Sequence, residues 1–230
     1  MKKLLCVRLL PACAMLAFAL VSQATAQQTL LPNGNFAAQP VGTAAQIGPN
    51  TGDSIDTTSY KGFRFFNVAT NSGLSFGSKI IGHGSPGSGA IRLDADNPGA
   101  ATIGQYGFDI ETSHIPIVYG TVYRLSLDAA YIGGGNHLSV IMAEYDANGS
   151  FTGQQTVTVF ELPSTDTTYH TYTYTLMPLS TAVTSVNIMF APGSGEVGVA
   201  AVSLTNLRFG SVPLEKGKPA VSPKPALKTK

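Results

Sequence analysis

Along most of the chain apolar and polar residues alternate with a period of two, and the 3.6-residue period of an amphipathic helix is almost absent. Tyr123, Leu125 and Leu127 fall on one side of an extended segment, and Arg124, Ser126 and Asp128 on the other. Tyr172, Tyr174 and Leu176 alternate with Thr171, Thr173 and Thr175 in the same way. Runs of the same kind are read at 62–68, 79–81, 90–93, 105–110, 138–145, 156–160, 186–190 and 197–207, separated by Gly, Pro, Asn and Asp. Asp146-Ala147-Asn148-Gly149, directly after one of these runs, marks a hairpin because Asn-Gly accepts positive φ. So many short strands between turn signals predict an all-β fold, an antiparallel β-sandwich of the jelly-roll type in a single domain.

The two ends of the chain break the alternation. Lys2, Lys3 and Arg8 precede an apolar stretch from Leu9 to Val21, and Ala24-Thr25-Ala26 follows with the small-x-small spacing of a signal-peptidase site. The stretch is too short for a spanning helix. Residues 1–26 are therefore read as a signal peptide cleaved after Ala26, residues 27–210 as the sandwich, and the protein as secreted or periplasmic. From 211 to 230 four prolines stand among five lysines, with too little apolar surface to offset the entropy of ordering, so a disordered tail is expected. Its lysines suit a weak electrostatic contact with an anionic polymer.

Charge and cysteine content narrow the function. Cys6 and Cys13, the only two cysteines, both lie in the leader, which leaves the exported part without disulfide, thiol nucleophile or cysteine metal site. Between Gln27 and Gly210, six basic residues face twelve acidic ones. An acidic body is a poor match for a phosphate backbone, so nucleic acid is not expected as a partner. No cofactor is expected.

Several segments, taken in order, resemble a known family. They are Leu30-Leu31-Pro32-Asn33-Gly34-Asn35-Phe36, Tyr60-Lys61-Gly62-Phe63-Arg64, Gly87-Ser88-Gly89-Ala90-Ile91-Arg92-Leu93-Asp94, and Tyr119-Gly120-Thr121-Val122-Tyr123-Arg124-Leu125-Ser126-Leu127. Tyr145 to Gly149, Thr167 to Tyr174, and Val199-Ala200-Ala201-Val202-Ser203-Leu204 continue the order. This succession resembles the carbohydrate-binding modules of the CenC-like, cellulose- and xylan-binding group, which have the galactose-binding-like jelly roll. The resemblance implies a glycan ligand. It does not carry over the structural calcium of those modules, because Ala37 and the Ala200-Ala201 pair stand where the family has carboxylates. The chain has no Trp, and Phe63 and Tyr169 occupy the family's usual Trp positions. Stacking on a sugar then falls to Tyr and Phe, with weak affinity, while a core role for Phe63 and Tyr169 is the preferred expectation.

Three motif matches fail on context. Gly73-Leu74-Ser75-Phe76-Gly77 has the letters of a nucleophile elbow but lacks the helix that must follow. Gly82-His83-Gly84-Ser85-Pro86-Gly87 has the letters of a dinucleotide loop, again followed by a β-run. Asp94-Ala95-Asp96-Asn97-Pro98-Gly99 opens like a calcium loop but places Pro98 at a ligand position, and a turn is expected there. The four histidines show no zinc spacing.

Polar side chains opposite the core positions remain, and Arg92, Asp94, Gln105, Asp128, Tyr131, Glu144 and Tyr145 are the candidate carbohydrate-binding residues. The expected function is a secreted non-catalytic module that recognises a polysaccharide or cell-surface glycan by Tyr stacking and polar contacts on one sheet face. A structural or adhesive envelope or matrix protein, using the sandwich as a scaffold, is the alternative.

Overall fold

The computed structural model describes residues 31, 33–38, 40–47, 54–56, 63–67, 75–83, 89–99, 106–110, 115–193 and 195–212. The expected signal peptide, nearly all of the expected tail, and Gln105 lie outside these residues. Among the described residues thirteen strands run in chain order: β1 (Ala44–Ile47), β2 (Ser54–Asp56), β3 (Phe63–Asn67), β4 (Ser75–Gly82), β5 (Gly89–Asn97), β6 (Tyr106–Ile110) and β7 (Ile115–Pro116) come first. β8 (Tyr123–Gly134), β9 (His137–Tyr145), β10 (Phe151–Glu161), β11 (His170–Leu176), β12 (Ser185–Pro192) and β13 (Gly198–Ser211) follow.

The strands form two antiparallel sheets. The first has the order β1-β4-β5-β13-β8-β11; the second has the order β10-β9-β12-β6-β3-β2, with β7 paired to β12. The fold is an all-β sandwich, as the alternation predicts. Leu93, Leu127 and Val202 of the first sheet and Val140, Ile188 and Phe190 of the second are wholly buried between the layers. Phe63 joins them, its ring tilted on Phe36 at 5.3 Å between centroids. On the side where β10 and β11 form the two edges, Phe160 and Tyr172 meet at 5.2 Å and close the core.

Local signals account for the junctions. The expected hairpin between β9 and β10 is made by Asp146, whose Oδ1 accepts the N–H groups of Asn148 at 2.8 Å and Ser150 at 2.9 Å, while Gly149 takes φ 75°. Gly34 must be glycine because a Cβ there would lie 2.0 Å from the carbonyl oxygen of Leu207, into which its own carbonyl locks through the Leu207 N–H. The calcium-like segment is corrected by the structure. Instead of a turn, β5 continues through Asp94, Ala95 and Asp96 to Asn97, because Ala95 and Asn97 keep the buried side of the alternation.

Ser75 of the elbow-like motif opens β4 and precedes no helix, which leaves that motif a strand start. Among the described residues no helix is long and apolar enough to cross a membrane.

Candidate functional site

The outer side of the first sheet is built from the polar half of each alternation. On β5, Ile91, Leu93 and Ala95 point into the core, so Arg92, Asp94 and Asp96 point out. On β4, Phe76, Ser78 and Ile80 are buried, and Ser75, Gly77 and Lys79 line the other side. The register sets these residues in cross-strand rows: Lys79 beside Arg92 and then Ser203, Gly77 beside Asp94 and then Ala201, Ser75 beside Asp96 and then Val199. The small residues of the middle row leave a depression. A groove of about 440 Å³ lies there, lined by Ser75, Gly77, Lys79, Asp94, Asp96 and Val199 among others.

Arg92 and Asp94, two apart on one strand, form a forked ion pair. The guanidinium donates from Nε to Oδ1 at 2.9 Å and Oδ2 at 3.0 Å, and from Nη2 to Oδ1 at 2.7 Å. The hydrogen bond to Asp94 raises the Arg92 pKa, against the opposing effect of its own partial burial. Both side chains stay more than two-fifths exposed, so the pair fixes the geometry of the groove wall more than it stabilises the fold.

An aromatic platform adjoins this wall. Tyr169, just before β11, crosses β8 and reaches Ser203 of β13 with its hydroxyl, 2.6 Å from Oγ. The His83 ring lies against it, 4.3 Å between centroids and tilted by 58°. Ser203 is opposite Arg92 in the register, which puts ring and guanidinium on neighbouring positions. Farther along, Asp128 is held by Thr171 Oγ1 at 2.6 Å and by Asn206 Nδ2 at 2.7 Å. Asn206 reaches it from the β13 irregularity, where its own φ is 52°.

The structure brings three of the seven expected residues, Arg92, Asp94 and Asp128, onto this one surface. Of the others, Gln105 lies outside the described residues, and Tyr131, Glu144 and Tyr145 separate from this surface. Tyr131 is an even number of residues from Leu127, so the same alternation turns it to the core side, where it packs partly buried and donates to the Gly134 carbonyl at 3.1 Å. Glu144 is likewise in phase with Val140 and Met142; it is buried, and its two oxygens accept the N–H groups of Leu179 at 2.7 Å and Ser180 at 2.8 Å. That carboxylate ties down a loop. Tyr145 lies on the outer side of the second sheet, its ring 6.0 Å from that of Phe151.

Lys79, His83, Asp96 and Ser203 are not among the ligand residues expected from the sequence, and Tyr169, weighed there for stacking, is given a core role. Continuing the Arg92–Asp94 alternation by one step would have found Asp96. Phe63 has the expected core role, while Tyr169 lies on the outer side. The positions that hold calcium in the resembling modules do not fit the ion here, since Ala37 and Ala201 bear no oxygen on their side chains, and Asn33 Oδ1 is spent on the Ala38 N–H at 3.0 Å.

No family model matches the chain, and no curated protein matches it. Among solved structures it is similar to the family 11 carbohydrate-binding module of a Clostridium thermocellum cellulosomal cellulase, at 13% identity and a TM-score of 0.48, covering 71% of this chain and 96% of that one. It is similar to a Bacteroides thetaiotaomicron protein described as a putative sugar binding protein, at 12% identity and a TM-score of 0.48, covering 80% and 100%. An arabinose-bound α-L-arabinofuranosidase gives 14% and 0.48, but the chain spans only 26% of it, and only 21% of a bacteriophage CBA120 tailspike protein that it also resembles. Identities this low assign no ligand.

Proposed function

We propose that the chain is a secreted, non-catalytic carbohydrate-binding module that takes a neutral polysaccharide along the outer side of the first sheet. The observation that carries this reading is the groove beside the Arg92–Asp94 pair, with the Tyr169–His83 platform on the adjoining row. A sugar needs both kinds of surface: hydroxyls pair with carboxylates and guanidinium groups, and the apolar C–H face of a ring packs on an aromatic side chain. At the groove wall Lys79 and Arg92 balance Asp94 and Asp96, which suits a neutral polymer. The charged and apolar opening of the chain, ending in Ala24-Thr25-Ala26, supports export.

A second placement of the same ligand, on the outer side of the second sheet, is favoured by the Tyr145 and Phe151 rings, whose centroids lie 6.0 Å apart there.

Affinity electrophoresis in gels containing neutral polysaccharides tests the function. Retardation by at least one of them is expected, and unchanged mobility against β-glucans, xylans, mannans and galactans would contradict it. Loss of retardation in Asp94→Ala places the ligand on the first sheet; loss in Tyr145→Ala places it on the second.

A further inference from the structure

The chain carries a second candidate interaction surface at the edge of the second sheet. β10 is the terminal strand of that sheet, and among the described residues it pairs only with β9. Natural sheet edges are usually blunted by lysine, proline or an inward charge, because an open row of N–H and C=O groups recruits another strand. From Phe151 to Phe160 the strand has no charged residue and no proline. Its bulge, between Phe151 and Gln155, falls at one end only and leaves Gln155 to Glu161 regular. The side chains are also open to solvent, with Val157 38% and Val159 49% exposed.

The direction of the free backbone groups follows from the register. Leu162 donates its N–H to the Asn136 carbonyl at 2.8 Å, and the Asn136 side chain returns a hydrogen bond to the Leu162 carbonyl at 3.0 Å. In an antiparallel ladder the bonded positions recur every second residue, so Phe160, Thr158 and Thr156 also point their groups at β9, opposite Leu138, Val140 and Met142. Gln155, Val157, Val159 and Glu161 then turn N–H and C=O to the open edge.

We propose that this edge pairs with the same edge of a second copy of the chain, β10 against β10, about a two-fold axis through Thr158. The occupant is argued from self-complementarity. Antiparallel pairing about Thr158 sets Val157 opposite Val159 of the other copy and Gln155 opposite Glu161, all of them residues with free backbone groups. About eight inter-copy hydrogen bonds result. The exposed valines cover one another, each Glu161 carboxylate meets an amide instead of a like charge, and the contact closes at two copies because a two-fold interface uses one patch twice.

Sedimentation equilibrium of the purified chain tests the pairing. A monomer–dimer equilibrium in the micromolar range is expected. Val157→Pro removes only an edge-facing N–H, and Val159→Lys puts a charge among the paired valines; each should weaken dimerisation on the order of ten-fold or more. Two variants are used so that a misfolded one, recognised by a lost near-ultraviolet dichroism signal, leaves the other to decide. Val41→Lys, in the turn before β1 at the opposite edge of the first sheet, should leave dimerisation unchanged. A monomer at all concentrations up to about 100 µM overturns the proposal. So does a dimer indifferent to both β10 changes, or a chain that stays monomeric while accepting an unrelated extended peptide along β10.

Discussion

Tyr169 and Ser203, 34 residues apart in sequence, share a hydrogen bond of 2.6 Å across the outer side of the first sheet. Ser203 Oγ also reaches the Ile91 carbonyl, at 3.3 Å. These two contacts join the segment before β11 to β13 and β5, and fix the Tyr169 ring over the row that holds Arg92.

Tyr169→Phe removes one link and leaves the ring. A loss of about 1 kcal/mol in urea unfolding is expected, with the fold intact. Burial pushes the Tyr169 phenol above its ordinary value, more than the hydrogen bond to Ser203 draws it down. The associated stability is present below the ordinary tyrosine range and is lost as pH rises through the raised value. Stability of the variant should therefore decline less steeply than wild type above pH 10; an identical decline would contradict the assignment.

Glu144 separates a structural carboxylate from a ligand-binding one. Glu144→Ala takes away the buried carboxylate that accepts the N–H groups of Leu179 and Ser180 and should cost about 2–4 kcal/mol in chemical denaturation. Glu144→Gln, which keeps one acceptor oxygen, should cost roughly half as much. Retardation by polysaccharide should persist in the folded fraction of both variants.

Asp166 sets the acid response of the turn before β11. The backbone N–H of Thr168 is the first cause of its lowered pKa of about 2, followed by the Thr168 hydroxyl and His170. A carboxylate held below its ordinary value stabilises the fold above that value, and the contribution is lost as pH falls from about 4 to about 2. Asp166→Asn keeps an acceptor for Thr168 but has no charge to lose. Its melting temperature should fall less than wild type over that interval, and parallel curves would show that the carboxylate has no such role.

The architecture was legible because burial imposes a period of two on β5, the first half of β8 and β11; β9, β11 and β12 are read almost to their ends from Val140, Tyr174 and Ile188, but β8 only from Tyr123 to Asp128. β1, β2 and β7 were not, since two to four residues hold too few alternations to rise above the surrounding glycines and prolines. The surface was legible in part. Arg92, Asp94 and Asp128 follow from being out of phase with leucines, whereas Tyr131 and Glu144 were chosen for their chemistry although the same phase turns them inward. The Tyr169–Ser203 contact depends on β8 lying between β11 and β13, an order that no local pattern encodes.

Under the proposed function, sugar binds at the groove wall formed by Asp94 and Asp96. Calorimetric titration of an oligosaccharide from any retarding polysaccharide, into wild type and into Asp94→Ala and Asp96→Ala, tests it most directly. Affinity should fall about ten-fold or more in each variant, roughly 1.4 kcal/mol, with unfolding midpoints nearly unchanged. Unaltered affinity in both would contradict it.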